Sequence, residues 1–239
     1  VRDVTDREGL KREAALRALE EVESGMRLGL GSGSTVAHFL DVLGEKLARG
    51  GLTDVTGVPT SVGTAEHAGR LGIPLGALHR LAPLDLTVDG ADEIDPSLRL
   101  IKGLGGAMLR EKMVAEASSR MTVIGDDSKL VAALGQKAPL PVEVVVFAWE
   151  SQVPFLEGVG AQPELRRGVD GEAYATDNGN YVLDCRFPGG IDDPAGLEEA
   201  LCRRTGIVAS GLFLGLATRA VVAGPGGARV LSIDAGGGA

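Results

Sequence analysis

Aromatic residues are scarce in this chain: one tryptophan, two tyrosines and five phenylalanines among 239 residues. Leu, Val, Ile and Ala must therefore fill any core, and an apolar content of 44% supplies them. Cysteine is scarcer. Cys185 and Cys202 stand far apart and fit no metal-binding spacing, and His38, His67 and His79 form no paired metal motif. A single disulfide is open on sequence grounds, but two free thiols in a reducing compartment are the expectation. Positive charge is in deficit, with a formal net charge of −9. That argues against a general nucleic-acid binder, which needs a basic face to neutralise phosphates. It leaves room for a small phosphorylated ligand, because a few placed donors override a global field locally. No run reaches the ~18–20 apolar residues of a membrane span. The first residues are Arg- and Glu-rich with no apolar signal core. A cytoplasmic protein that touches neither membrane nor nucleic acid is expected, with a frayed tail at 235–239.

What is present is alternation. The spacing predicts a helix over 7–23, with Leu10, Ala14, Ala15, Ala18, Leu19 and Val22 on one side. A short strand over 26–30 follows, then a Gly-rich bend, then a second helix. There Val36, Phe39, Leu40, Leu43 and Leu47 make a helical stripe. Strands are expected at 55–58, 85–88 and 121–124, and helices at 62–71 and 107–118, with Gly72 a candidate helix C-cap. Repeated strand–loop–helix units imply a parallel sheet covered on both faces.

After Pro139-Leu-Pro141 the pattern changes. Strand candidates cluster at 142–147, 163–167, 172–176 and 180–186, with helices near 150–157 and 194–203. Asp177-Asn-Gly-Asn180 reads as a hairpin turn. Apolar runs at 207–216 and 219–223 are expected to return to the main sheet. The expected fold is α/β: a Rossmann-like, mostly parallel sheet over 1–137 and 207–239, and a smaller α+β domain over 138–206.

Four loops carry chemistry. Gly31-Ser32-Gly33-Ser34-Thr35 sits between a strand and a helix, where small residues and free helix N–H groups suit a phosphate. It lacks the Lys of a Walker loop and the third Gly of a dinucleotide fingerprint, and a tight turn with a hydroxyl cap remains the plain alternative. Asp89-Gly-Ala-Asp-Glu-Ile-Asp95 places four carboxylates just past a strand end, where open α/β sheets bind ligands. A solvated acidic turn or a divalent-metal loop is the competing explanation. In Lys102-Gly-Leu-Gly-Gly-Ala-Met-Leu-Arg-Glu-Lys112, Lys102 could meet an oxyanion and Glu111 could be a general base, unless 110–112 is an ordinary solvated helix face. Gly125-Asp-Asp-Ser-Lys129 is another polar strand end, by itself most simply a surface turn. Together they suit a small anionic substrate undergoing proton transfer.

The segments at 29–39, 87–95, 101–112, 126–131, 139–144 and 175–184 resemble the ribose-5-phosphate isomerase A family in order and spacing, over nearly the whole chain. The resemblance implies an oligomeric enzyme, a homodimer or homotetramer. It would interconvert ribose 5-phosphate and ribulose 5-phosphate in the pentose phosphate pathway without metal or organic cofactor. It implies Glu111 as the base that shuttles a proton between C1 and C2, Asp89 as the carboxylate that opens the furanose, and Lys102 as the group that steadies the oxyanion. Asp92 would position the sugar. Lys11, Ser32, Gly33, Ser34, Thr35, Gly90, Ala91, Gly103, Leu104, Gly105 and Lys129 would contact substrate or its phosphate. The chain departs from the family's common wording at Ser32, Leu104 and Leu109, and Leu104 must find an allowed backbone where glycine is usual. Two rivals are a non-catalytic sugar-phosphate sensor, with Glu111 a mere binding group, and an acyl or CoA transferase, with Glu111 a nucleophile.

Overall fold

The computed structural model describes residues 7–233, so the tail at 235–239 lies outside it. Its helices are α1 (Arg7–Leu19), α2 (Ser34–Ala48), α3 (Val62–Arg70), α4 (Leu78–Leu81), α5 (Met108–Glu116), α6 (Val153–Gly158) and α7 (Pro194–Cys202). The first strands are β1 (Arg27–Leu30), β2 (Thr56–Pro59), β3 (Leu86–Gly90), β4 (Glu93–Ile94), β5 (Leu100–Ile101) and β6 (Met121–Asp126). There follow β7 (Leu140–Val144), β8 (Gln162–Leu165), β9 (Tyr181–Arg186), β10 (Ile207–Ser210), β11 (Leu212–Phe213), β12 (Ala217–Gly224) and β13 (Gly227–Ser232).

The chain forms two compact units. One holds the described residues up to Ala91, then Arg110–Lys129, then the described residues from Gly215 on; the other holds Asp92–Leu109 and Leu130–Leu214. The second unit is thus larger than the 138–206 segment expected from alternation. It draws in β4, β5 and β11, which pair with each other, and Val131 and Leu134, which join its core.

The first unit is built on a six-stranded sheet in the order β13-β12-β6-β3-β1-β2. Every neighbouring pair is parallel except the edge pair β12–β13. Side chains alternate across it. Leu28 and Leu30 of β1 and Leu86 and Val88 of β3 pack on one face with Phe39, Leu40 and Leu43 of α2 and the small Ala14, Ala15 and Ala18 of α1. Each buried leucine is worth about 1.5–3 kcal/mol, so burial of the stripe, more than propensity, holds a helix that contains Gly44. Gly29 and Thr87, one residue out of phase, face the other way. A Cβ on Gly29 would lie 2.6 Å from Cγ1 of Val114, so α5 covers that second face. Helix α3 is capped by Ser61, whose Oγ accepts from the Thr64 N–H at 3.0 Å. Gly72 follows in the left-handed region that ends such a helix (φ 71°).

The second unit carries a four-stranded antiparallel sheet, β10-β7-β9-β8, and a three-stranded one, β11-β5-β4. Leu140, Val142 and Val144 pack with Leu156, Leu197 and Leu201 of its helices. The Asp177–Asn180 turn is present, closed by Thr176 N–H to Asn180 O at 2.9 Å, with Gly179 at φ 76°. The expected strand at 172–176 reduces to isolated bridges at Ala173 and Ala175, because a tight turn at Gly168–Glu172 consumes its start. The run at 207–216 does not return to the main sheet: β10 pairs with β7 and β11 with β5, and only the next run, as β12, rejoins the parallel sheet. Both cysteines are free, Cys185 buried and Cys202 exposed. Burial, helped by the Asp184 charge, pushes the Cys185 thiol up from 9.0 to about 12. Among the described residues no helix is long and apolar enough to cross a membrane, and no three His, Cys, Asp or Glu side chains cluster as a metal site.

Candidate active site

In the first unit the chemistry gathers at the carboxyl end of the parallel strands. Gly33 adopts φ 103° and ψ 174° at the N-cap of α2, a conformation open to glycine. No side chain caps this helix, and its first turn holds no acid. Its N-terminal amides and positive end are thus arranged for an anion, with Ser34 and Thr35 supplying hydroxyls. Ser32 is engaged elsewhere. Its N–H donates to Asp89 Oδ1 at 3.1 Å, and its Oγ lies 2.8 Å from Thr60 Oγ1, 2.8 Å from Ser61 Oγ and 3.1 Å from Thr64 Oγ1. Thr64 Oγ1 in turn donates to the Gly31 carbonyl at 2.8 Å. This hydroxyl cluster fixes the bend from behind.

Asp89 is fully buried, and its Oδ1 also accepts the Gly90 N–H at 2.7 Å. Gly31 has to be glycine, since a Cβ there would lie 2.1 Å from that same oxygen. Ala91 closes the segment. Glu111 is only 4% exposed, in the first turn of α5, so the alternative of a solvated helix face fails for it. Val114 lies over Gly29, and Ser118 Oγ is 2.7 Å from Thr87 Oγ1. With α5 running back against the strands, Glu111, N-terminal to both contacts, lies toward the carboxyl end of β1 and β3. Asp89 shares the face of Thr87, the face that α5 covers. The two carboxylates therefore lie on the same face, toward the same end of the sheet.

Lys129 ends the one-turn helix Asp127–Lys129 after β6, with its stem against Gly125. Lys11 on α1 donates to Glu8 Oε1 at 2.6 Å, and Glu8 Oε2 lies 2.9 Å from His38 Nε2 on α2. The Lys11 and then the His38 hydrogen bonds hold the Glu8 carboxyl below its ordinary value.

The second unit brings together Asp92, Lys102, Gly103, Leu104 and Gly105. Lys102 is 2% exposed, with Nζ 5.5 Å from the centroid of the Phe213 ring, a cation–π distance. Its N–H donates to the Gly211 carbonyl, and a side chain at Gly211 would obstruct that approach. Asp92 Oδ2 accepts the Leu104 N–H at 3.0 Å. The loop's left-handed residues are Gly103 (φ 100°) and Gly106 (φ 78°), so Leu104 takes an ordinary backbone and an exposed side chain. Two of the four clustered carboxylates are structural. Glu93 accepts the N–H groups of Gly135, Lys137 and Ala138, and Asp95 those of Ser97 and Arg99 plus the Arg99 Nε. The sequence reading missed Thr60, Ser61, Thr64 and Arg166. Only Ser61, as a Ser three residues before Thr64 at a helix start, left a local signal.

The sequence profile of ribose 5-phosphate isomerase A (phosphoriboisomerase A) matches residues 56–227. The chain belongs to this family. Ribose-5-phosphate isomerase A of Roseiflexus castenholzii is 54% identical over 217 residues, covering 91% of this chain and 92% of that one. Probable ribose-5-phosphate isomerase 2 of Arabidopsis thaliana is 47% identical over 226 residues, 92% of this chain and 85% of its own. A structure of D-ribose-5-phosphate isomerase in complex with phospho-erythronic acid matches with a TM-score of 0.93 at 40% identity, over 96% of this chain and all of that one. The Plasmodium falciparum ribose 5-phosphate isomerase matches at 0.92 and 38% identity, over 95% and 99%. The expected fold class, a Rossmann-like sheet plus a smaller α+β part, is that of these isomerase structures. The sensor and transferase rivals give way to an isomerase.

Proposed function

We propose that the chain interconverts D-ribose 5-phosphate and D-ribulose 5-phosphate through an enediolate. Family membership supports the reaction, and the burial of Glu111 on the same sheet face as buried Asp89 is the observation that supports the chemistry. Moving a carbonyl by one carbon requires removing a proton beside it, stabilising the enediolate, and returning the proton next door. Glu111 does both transfers while the intermediate stays cis. Asp89 takes the O1 proton as the C1–O4 bond of the furanose breaks, and gives it to O4. Lys102 steadies the oxyanion, and Asp92 orients the sugar hydroxyls. The uncapped start of α2, with Gly33, Ser34 and Thr35, holds the 5-phosphate, and Lys11 and Lys129 add positive charge. The resemblance also supports a homodimer or homotetramer, which sedimentation would size. The free thiols and the phosphorylated substrate support a cytoplasmic site.

The test is to incubate the protein with ribose 5-phosphate and EDTA and follow ribulose 5-phosphate. Turnover is expected, and Glu111→Gln should lower kcat by about 10²–10⁴-fold while leaving the fold intact. A Glu111→Gln protein with wild-type turnover overturns the assignment of the base.

A further inference from the structure

Arg166 follows β8 with its side chain only 12% exposed. Its Nη1 donates to the carbonyls of Gly103 at 3.0 Å and Leu104 at 2.9 Å. Its other edge grips Asp184 with both arms, Nε to Oδ2 at 2.8 Å and Nη2 to Oδ1 at 2.5 Å. Tyr174 completes the brace. Its ring centroid lies 5.7 Å from the guanidinium carbon, and its hydroxyl donates to the Gly105 carbonyl at 3.4 Å. A Cβ at Gly106 would lie 2.3 Å from that hydroxyl, so the brace fits closely against this loop. Nothing in the isomerase chemistry above uses this cluster.

A trans peptide points its C=O and N–H in opposite directions. The Gly103 carbonyl is drawn to Arg166, so the Leu104 N–H faces away, and there it meets Asp92 Oδ2. The Leu104 carbonyl is drawn the same way, so the Gly105 N–H is turned toward the Asp92 side as well. Two successive amides on one side form a concavity that favours negative charge, and the Asp92 carboxylate sits there. We propose that Arg166 is a positioning residue for the isomerisation. By holding the two carbonyls it fixes the backbone that follows Lys102, seats the Leu104 amide on Asp92 and so orients both Asp92 and Lys102 for the sugar. The proposal rests on the isomerase reading, in which Asp92 and Lys102 meet that sugar. Lysine is no substitute, because one ammonium cannot reproduce a planar fork that spans two carbonyls and a carboxylate.

The experiment compares wild type with Arg166→Lys and Arg166→Met by isomerase kinetics, thermal unfolding and amide hydrogen exchange of the 102–107 segment. Both variants are expected to raise KM and lower kcat, with kcat/KM down on the order of 10–100-fold, the scale of a small misplacement in a reacting site. Exchange should quicken in 102–107 and stay unchanged in the β7–β9 core. A merely structural role would lower kcat through lost folded protein and leave KM alone, and that outcome overturns the proposal. So do wild-type kcat and KM in a folded Arg166→Lys. If Arg166→Met fails to fold, Asp184→Asn loosens the same grip and should shift KM in the same direction by less; an unchanged KM there also overturns it. Wild-type protein that does not isomerise ribose 5-phosphate at all defeats the isomerase reading instead, and the exchange data then still decide whether Arg166 holds the loop.

Discussion

The two units bury their acids for different ends. In the second unit the buried carboxylates collect donors from turns and loops, although Oε2 of Glu143 is left without one. Glu93 takes three backbone N–H groups, Asp95 two plus an arginine, and Glu143 Oε1 the side chains of Thr176, Asn178 and Asn180 at 2.9–3.1 Å. In the first unit Asp89 receives two backbone amides on one oxygen, and Glu111 stands in the first turn of a helix at the edge of the parallel sheet. A carboxylate surrounded by donors fixes the chain. A buried one beside a glycine bend and an uncapped helix is placed to handle a proton. Burial alone separates neither case; the surroundings of each acid do.

This contrast can be broken by substitution. The largest expected effect on stability is Glu93→Ala, which strips three buried backbone donors of their acceptor. It should cost about 3–5 kcal/mol, and lower the thermal midpoint by on the order of 10 °C. A midpoint near wild type would show that those amides find other acceptors. Glu143→Gln keeps the shape of the side chain but puts an amide where the hairpin's donors need an acceptor, and should cost about 1–2 kcal/mol by denaturant unfolding. Both variants should retain turnover per folded molecule, where Glu111→Gln retains stability and loses turnover.

Smaller effects sharpen the picture. Cys202 should react quickly with a thiol reagent and Cys185 only on unfolding, which counting thiols against time would check. Because the folded Cys185 thiol ionises near 12 and the unfolded one near 9.0, its contribution to stability is complete below pH 9.0. It is lost as pH rises from there, since only the unfolded chain gives up the proton. Cys185→Ala should flatten that alkaline slope. The smallest effect is at Glu8, whose carboxyl sits below the ordinary 4.5 and favours the fold above that pH, less so as acid protonates it. Glu8 is exposed, so Glu8→Gln should leave the thermal midpoint unchanged. It should shift KM only if Lys11, freed of its partner, serves the phosphate.

Much of this was legible in the chain. The stripe from Val36 to Leu43 announced α2, and the strand before Asp89 delivered that carboxylate to a sheet edge, because periodic burial and strand ends are local signals. What escaped was non-local. β4, β5 and β11 are two residues each, too short for an alternating pattern to register. The apolar run at 207–216 carries no mark of which sheet it joins, and it joined the antiparallel ones. Four acids in seven residues looked like one ligand-binding strand end. Glu93 and Asp95 proved structural because their donors come from loops whose positions the motif does not encode. Arg166 was invisible for the same reason: its two carbonyl partners lie 63 and 62 residues away.

The most direct measurement follows the proton. With ribose 5-phosphate in deuterated water, the wild-type protein should replace hydrogen at C1 or C2 as it turns over. Glu111→Gln should lose that exchange by about 10²–10⁴-fold while still binding an unreactive sugar-phosphate analogue. Exchange at the wild-type rate in Glu111→Gln would mean that another group moves the proton.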